Sequence, residues 1–387
     1  MRIFNTKKLE IFFVLLYCFL YCLIRGKANK IVMKPKNILV AQTAGLGDMV
    51  CTTPMFRAIK NKYPECKVFV LGSTTNQELL QGHPDVDKYF SLNHGVLELA
   101  KIFRREGIDF ACSAFPDFAT LAAMYLAGIP AISMPRVIGE FCPQYTKAYQ
   151  ILTKLVLLIP HYARQYAARE YLRLLEPIGI RTKDITKHIV YSNSAKQQVI
   201  SFLGKQKVNL KEDLLIGIFP SAGNKIKNWS PINFAKLGNY LYQKYSARIV
   251  IMGGKNDEQE VKETIVNLDS STQVINTHNL FNLDQLKALI SVLTLFISVD
   301  SGPIYLAEAL GVPTVDIIGP VDENDQPPVG LLHKIVKASR EKSAMYVMNA
   351  RIYDKQEAKR QIEEISLPMV IKETEGLLKL VVKSTSS

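Results

Sequence analysis

From Lys36 onward, short β-branched and aromatic runs alternate with helix-length polar or amphipathic stretches: NILVAQTA, KVFVLGS, DKYFSLN and DFACSAF. A second series begins near Leu214 with LLIGIFPSA, ARIVIMGG, STQVIN, LTLFISVD and VPTVDIIGP. Apolar runs of this length, spaced by helices, predict parallel strands in βαβ units. The chain reads as α/β, two Rossmann-like domains whose parallel sheets turn their carboxyl ends toward one central cleft, where open α/β folds take ligands. Thr53-Pro54 and Ser230-Pro231 each have the form of an N-cap followed by an N1 proline, which predicts a helix start at both. The stretch Ile151 to Pro160 reads as a buried helix too short to span a membrane.

The polar stretch 186–212 separates the two series and reads as a hinge, leaving 36–185 and 213–355 as the domains and 356–387 as closing helices. Ahead of them, 1–35 contains the uninterrupted apolar run 11–24 (IFFVLLYCFLYCLI). That run falls short of the ~20 residues that cross a bilayer. Arg25, Lys27 and Lys30 follow it in place of a small-residue cleavage site, so it reads as an uncleaved anchor, spanning or lying in the interface.

Charge sharpens this picture. Of the formal +13, a net +7 lies in the first 36 residues, where eight Lys and Arg oppose only Glu10. Basic flanks around an apolar run suit an anionic leaflet and argue against a broad nucleic-acid surface. The six cysteines lack zinc-like or CxxC spacing and read as reduced packing residues.

Candidate chemistry gathers at the strand ends. The first strand runs into Thr43-Ala44-Gly45-Leu46-Gly47-Asp48; a dinucleotide fingerprint would need glycine where Val50 stands, so an NAD site is disfavoured. Asp48 taken alone reads more readily as a helix cap than as a catalyst. The second domain opens with Phe219-Pro220-Ser221-Ala222-Gly223-Asn224 and then Lys225-Ile226-Lys227-Asn228-Trp229, small residues and lysines before a helix, which suits an anion. Asp300-Ser301-Gly302-Pro303 joins an apolar strand to a helix whose free N–H groups can meet a diphosphate. Asp257 and Glu258 follow Gly253-Gly254, placed either for ribose hydroxyls or simply for a helix N-terminus. Asp85-x-Asp87 resembles a metal-binding DxD but precedes its strand, and reads as a turn without metal.

In order and spacing, Gly45-Leu46-Gly47-Asp48 with Pro54 and Lys60, Lys227-Asn228-Trp229-Ser230-Pro231 with Phe234-Ala235, and Asp300-Ser301-Gly302 with Ala307, Ala309-Leu310-Gly311, Pro313 and Gly319-Pro320 resemble glycosyltransferase family 9, the ADP-heptose:lipopolysaccharide heptosyltransferases. The resemblance spans about Lys36 to Pro320. It implies a GT-B fold, an acceptor-binding first domain, a nucleotide-sugar-binding second domain and a final helix that crosses back. It also implies metal-independent, inverting transfer without a cofactor. Asp48 matches the family's proposed general base, Lys227 the position that holds the donor phosphates, and the Ser301-Gly302 backbone a stabiliser of the departing diphosphate. Tyr305 stands where the family usually has His, and Val321 where it often has Thr, which leaves the donor sugar more open than the transferase class.

The implied partners are a nucleotide sugar, ADP-heptose first among them; a lipid-linked or lipopolysaccharide glycan; and the cytoplasmic face of the inner membrane, reached through residues 11–24. No nucleic-acid partner is expected. Two competing functions are a catalytically silent membrane-bound scaffold or sensor of sugar nucleotides and a sugar-nucleotide epimerase. The retained Asp48 and Lys227 argue against the first, and the apolar N-terminus against the second. Nothing isolates an acceptor site among Arg104, Arg105, Arg136, His161, Arg164 and Arg169.

Overall fold

The computed structural model describes residues 8–349 and 351–385, so Arg2 and Lys7 of the basic flank lie outside the described residues. The chain divides into two compact units, Met1–Thr186 and Lys187–Ser387.

The first unit contains α1 (Lys8–Arg25), β1 (Asn37–Ala41), α2 (Leu46–Lys62), β2 (Lys67–Gly72), α3 (Thr74–Leu79), β3 (Lys88–Ser91), α4 (Val96–Arg105), β4 (Phe110–Ser113), α5 (Phe118–Leu126), β5 (Ala131–Ile138), α6 (Lys147–Leu152), β6 (Leu157–Tyr162) and α7 (Ala167–Arg173). The second contains α8 (Asn193–Lys205), β7 (Leu215–Phe219), α9 (Pro231–Tyr245), β8 (Arg248–Ile251), α10 (Glu258–Val266), β9 (Val274–Asn276), α11 (Leu283–Ile290), β10 (Leu295–Val299), α12 (Gly302–Ala309), β11 (Thr314–Ile317), β12 (His333–Val336), α13 (Lys355–Glu363) and α14 (Leu367–Thr385).

Both sheets are parallel and share one topology. The first runs β3-β2-β1-β4-β5-β6; the second, read from its other edge, runs β9-β8-β7-β10-β11-β12. Each therefore reverses its winding between its first and fourth strands, β1/β4 and β7/β10, where doubly wound sheets open a crevice at their carboxyl ends. These central strands are buried on both faces, which is why they read as unbroken apolar runs rather than alternating ones.

The sequence expectations meet the fold unevenly. The Ser230-Pro231 start is borne out: α9 begins at Pro231 and buries Phe234, Leu237 and Leu241. The Thr53-Pro54 start is corrected, because α2 begins at Leu46 and Pro54 lies inside it. Proline leaves the carbonyl four residues back without its N–H partner. Thr53 Oγ1 donates to that carbonyl, Val50 O, at 2.7 Å, so the helix passes through. The stretch 151–160 is also corrected. It ends α6, makes one 3-10 turn at Thr153–Leu155 and enters β6. Ile159 precedes a proline, which disfavours helix there, and Pro160 is tolerated because β6 is an edge strand.

Within the polar stretch 186–212, α8 forms over Asn193–Lys205 and buries Ala195, Val199 and Leu203 at helical spacing. The closing helices α13 and α14 and the link between them contribute Ile362, Ile365, Val370, Leu377 and Leu378 to the core of the second unit. The apolar run near the N-terminus is helical in α1, and among the described residues no helix is long and apolar enough to cross a membrane.

Candidate functional site

At the carboxyl end of β1, the chain turns through Thr43 to Gly45 into α2. Gln42, fully buried, donates from Nε2 to Thr52 Oγ1 at 3.1 Å and accepts from Ala44 N–H at 3.1 Å. Gly72 leaves room for this turn, since a Cβ there would lie 2.9 Å from Gln42 O and 2.4 Å from Tyr89 Oη. Gly45 is the N-cap of α2 in extended backbone, and Asp48, half-buried in the first turn, accepts the Gly45 N–H at Oδ2 at 3.0 Å. Gly47 is buried beside it. The capping reading of Asp48 is thus realised, and the same bond fixes the direction of its carboxylate at the edge of the sheet.

The second unit brings its candidates together at the β7/β10 switch. The loop after β7 makes a single 3-10 turn at Lys225–Lys227. From it, Lys227 Nζ donates to Asp300 Oδ2 at 2.7 Å. Asp300 follows β10 and is 4% exposed. Its other oxygen accepts the Tyr305 hydroxyl from α12. Ser301 is the N-cap of α12, Gly302 its first residue and Pro303 follows, so the positive helix end opens beside the Lys227 ammonium. Ser301 Oγ lies 3.2 Å from Ser298 Oγ of β10. Four residues expected at the donor site, Lys227, Asp300, Ser301 and Tyr305, therefore form one cluster with Gly302.

Asp257 and Glu258 lie elsewhere in the same unit. Asp257 caps the turn after β8, accepting Gly254 N–H at 2.9 Å and the Ser221 hydroxyl at 2.7 Å. Lys225 joins this group, 2.8 Å from Glu260 Oε1 and 2.7 Å from Ser221 Oγ. Glu258 is exposed at the start of α10. Of the two readings of these acids, the geometry realises the helix-terminus one for Asp257. Trp229 is a packing residue: its Nε1 donates to Ile365 O at 2.7 Å and its ring meets Phe234 edge-on at 5.0 Å.

Beneath the cluster lies Asp316, which sequence reasoning did not single out. It sits on β11, fully buried, and neither oxygen has a hydrogen-bond partner. Burial, and then the nearby Asp300 charge, push its carboxyl well above the ordinary aspartate range, against a smaller opposing pull from Lys227. Both effects favour its neutral, protonated form. An Asp inside VPTVDIIGP, a strand otherwise apolar, was the available signal. Two further additions are Lys187, which pairs with Glu308 and lies 5.2 Å from the Tyr305 ring centroid, and Arg340. The latter donates to Gly319 O and Val321 O and pairs with Glu323, bracing the turn after β11.

In the first unit, Asp87 accepts Lys60 Nζ at 2.7 Å and Val68 N–H at 2.8 Å, at the amino end of β2. Its carboxylate ties the segment before β3 to α2 and β2. Of the scattered basic residues, Arg104 donates to Leu126 O, Arg164 pairs with Glu140 and His161 is buried. Arg105, Arg136 and Arg169 are exposed.

Comparison with known proteins points one way. Residues 145–354 match glycosyltransferase family 9 (heptosyltransferase). Lipooligosaccharide heptosyltransferase 2 of Haemophilus influenzae is 24% identical over 315 residues, spanning 76% of this chain and 86% of that protein. Among solved structures, the family 9 glycosyl transferase from Veillonella parvula has a TM-score of 0.73 at 20% identity, covering 90% of this chain and 99% of that one. ADP-heptose LPS heptosyltransferase II of E. coli has a TM-score of 0.71 at 19% identity, with coverage of 90% and 99%.

Proposed function

Because this chain belongs to glycosyltransferase family 9, we propose that it transfers heptose from ADP-heptose to a lipopolysaccharide-core or related cell-envelope glycan, working at the cytoplasmic face of the inner membrane. In this reading the chain is a GT-B enzyme whose first unit takes the acceptor and whose second takes the donor. The observation that carries it is the Lys227–Asp300–Tyr305 cluster at the amino end of α12, on the switch-point strands of the second sheet.

The chemistry asked of such a cluster is specific. As the acceptor oxygen bonds to the anomeric carbon, the bond from that carbon to the diphosphate breaks and its electron pair leaves with ADP. Negative charge grows on the departing phosphate. An ammonium has three donors, and Lys227 gives one to Asp300; the others, with the N–H groups of α12, suit that charge without a metal. Asp300, gripped by Lys227 and Tyr305, positions the lysine. Asp48 serves as general base, taking the hydroxyl proton as the new bond forms, when that proton has become acidic. A single displacement inverts the anomeric configuration.

Calorimetric titration of the full chain with ADP-heptose, ADP, UDP, GDP and the common sugars of these nucleotides tests the donor. Selective ADP-heptose binding that Lys227→Ala abolishes is the expected result. Selective binding of another nucleotide sugar would replace the donor, and no binding by folded protein would overturn the reading.

A further inference from the structure

Helix α1 presents two opposed apolar faces. One is packed on the first unit: Val14, Leu15, Cys18, Tyr21 and Cys22 join the core that contains Leu121, Tyr125 and Leu152. The helix is also pinned at its end. Arg25 donates to Tyr125 O and Ile129 O, its guanidinium lies 4.8 Å from the Tyr125 ring centroid, and Tyr125 Oη donates to Gly26 O at 2.7 Å. The chain that follows is tied to the sheet, with Ala28 bridging Val156 and Asn29 bridging Ala131.

The other face is exposed. Phe12, Phe13, Leu16, Leu20, Leu23 and Ile24 recur at three- and four-residue spacing along it, with Leu23 and Ile24 about as open as a side chain in an unfolded peptide, at 84% and 85%. Ile31 and Met33 extend the apolar surface past the helix. A patch of this kind marks an interaction surface on a folded protein. Its border is basic: Lys27, Lys30, Lys34 and Lys36 are all exposed, and Glu10 is the only acid among the first 36 residues.

We propose that α1 is a monotopic docking helix, lying flat in the headgroup region of an anionic bilayer with its outer face immersed and its inner face still packed on the first unit. Spanning would strip Cys18 and its neighbours from the core and release Arg25 from two carbonyls, whereas lying flat keeps every one of these contacts. The lysine rim meets anionic headgroups, and it works against a second copy carrying the same rim. This deepens the inner-membrane part of the function proposed above and rests on it, but it is tested without donor or acceptor, so its failure would leave heptosyl transfer standing.

The experiment is flotation of the full chain with vesicles of phosphatidylethanolamine and phosphatidylglycerol, and with phosphatidylcholine alone. Wild type is expected to float with the anionic vesicles and to be released by alkaline carbonate. The L16E/L20E/L23E variant should lose on the order of 100-fold or more in partitioning, with circular dichroism and melting unchanged. Should that variant melt early, K27Q/K30Q/K34Q decides, since it alters only exposed charge; a loss on the order of 100-fold is expected on anionic vesicles and little change on neutral ones. Wild-type flotation by both variants, resistance to carbonate as for a spanning segment, or a lipid-free dimer that the glutamates dissociate would each overturn the proposal.

Discussion

The carboxylates Asp48 and Asp300 both follow a central strand at the carboxyl edge of a doubly wound parallel sheet, yet they are held in opposite ways. Asp48 is half-buried and its hydrogen bond to Gly45 N–H is local, three residues away. Asp300 is nearly buried and is gripped by Lys227, 73 residues earlier in the chain, and by Tyr305. A local cap aims a carboxylate from within its own turn. A long-range ion pair commits the carboxylate to fixing a cation. The same residue type, beyond the carboxyl ends of two central strands, is thereby held in two different ways.

The sharpest way to break this comparison is to remove each side chain in turn. Asp48→Asn should lower kcat by about 1000-fold, with a melting temperature close to wild type, measured by ADP release and calorimetry. Loss of the fold together with activity would instead make Asp48 chiefly a structural cap. Lys227→Ala should be costly on both counts. It weakens ADP binding and, by leaving Asp300 buried and unpaired, destabilises the second unit by about 3 kcal/mol, read from urea unfolding.

Tyr305→Phe removes a hydrogen bond to a buried carboxylate and should cost about 2 kcal/mol. Tyr305→His, the residue usual in the family, tests whether a donor at this position is enough. Asp316→Asn should be the mildest change at neutral pH, within about 1 kcal/mol, because burial favours the uncharged carboxyl that asparagine resembles. Its effect is on pH dependence. The folded pKa of Asp316 is raised, so above the ordinary aspartate range the unfolded chain has lost a proton that the folded chain keeps. Stability then falls as pH rises toward the folded pKa. Asparagine should flatten that slope in unfolding measured across pH; an unchanged slope would show that Asp316 is ionised when folded.

Much of this molecule was legible in one dimension. The apolar runs marked nine of the strands, most plainly the central ones, because strands buried on both faces are continuous in hydrophobicity. Ser230-Pro231 located α9 because the stereochemistry of a proline at the first helical position is local. The motifs around Asp48, Lys227 and Asp300 could be found because a turn between strand and helix needs particular small and polar residues in sequence. β5, β6 and β12 escaped notice, since Pro135 and Pro160 interrupt two of them and HKIV is half polar.

Long-range pairing was not legible in the same way. That Lys227 grips Asp300, that Asp257 joins Ser221, and that Asp316 lies unpaired beneath the cluster depend on which strands become neighbours. That order is set by the packing of the whole sheet rather than by any local run. The N-terminal apolar segment makes the same point. Its composition announced a preference for leaving water, but a 14-residue run has the same composition whether it spans, floats or packs. Only the tertiary contacts of Cys18 and Arg25 divide it into a face held by the protein and a face left open, because burial is a property of neighbours rather than of residues.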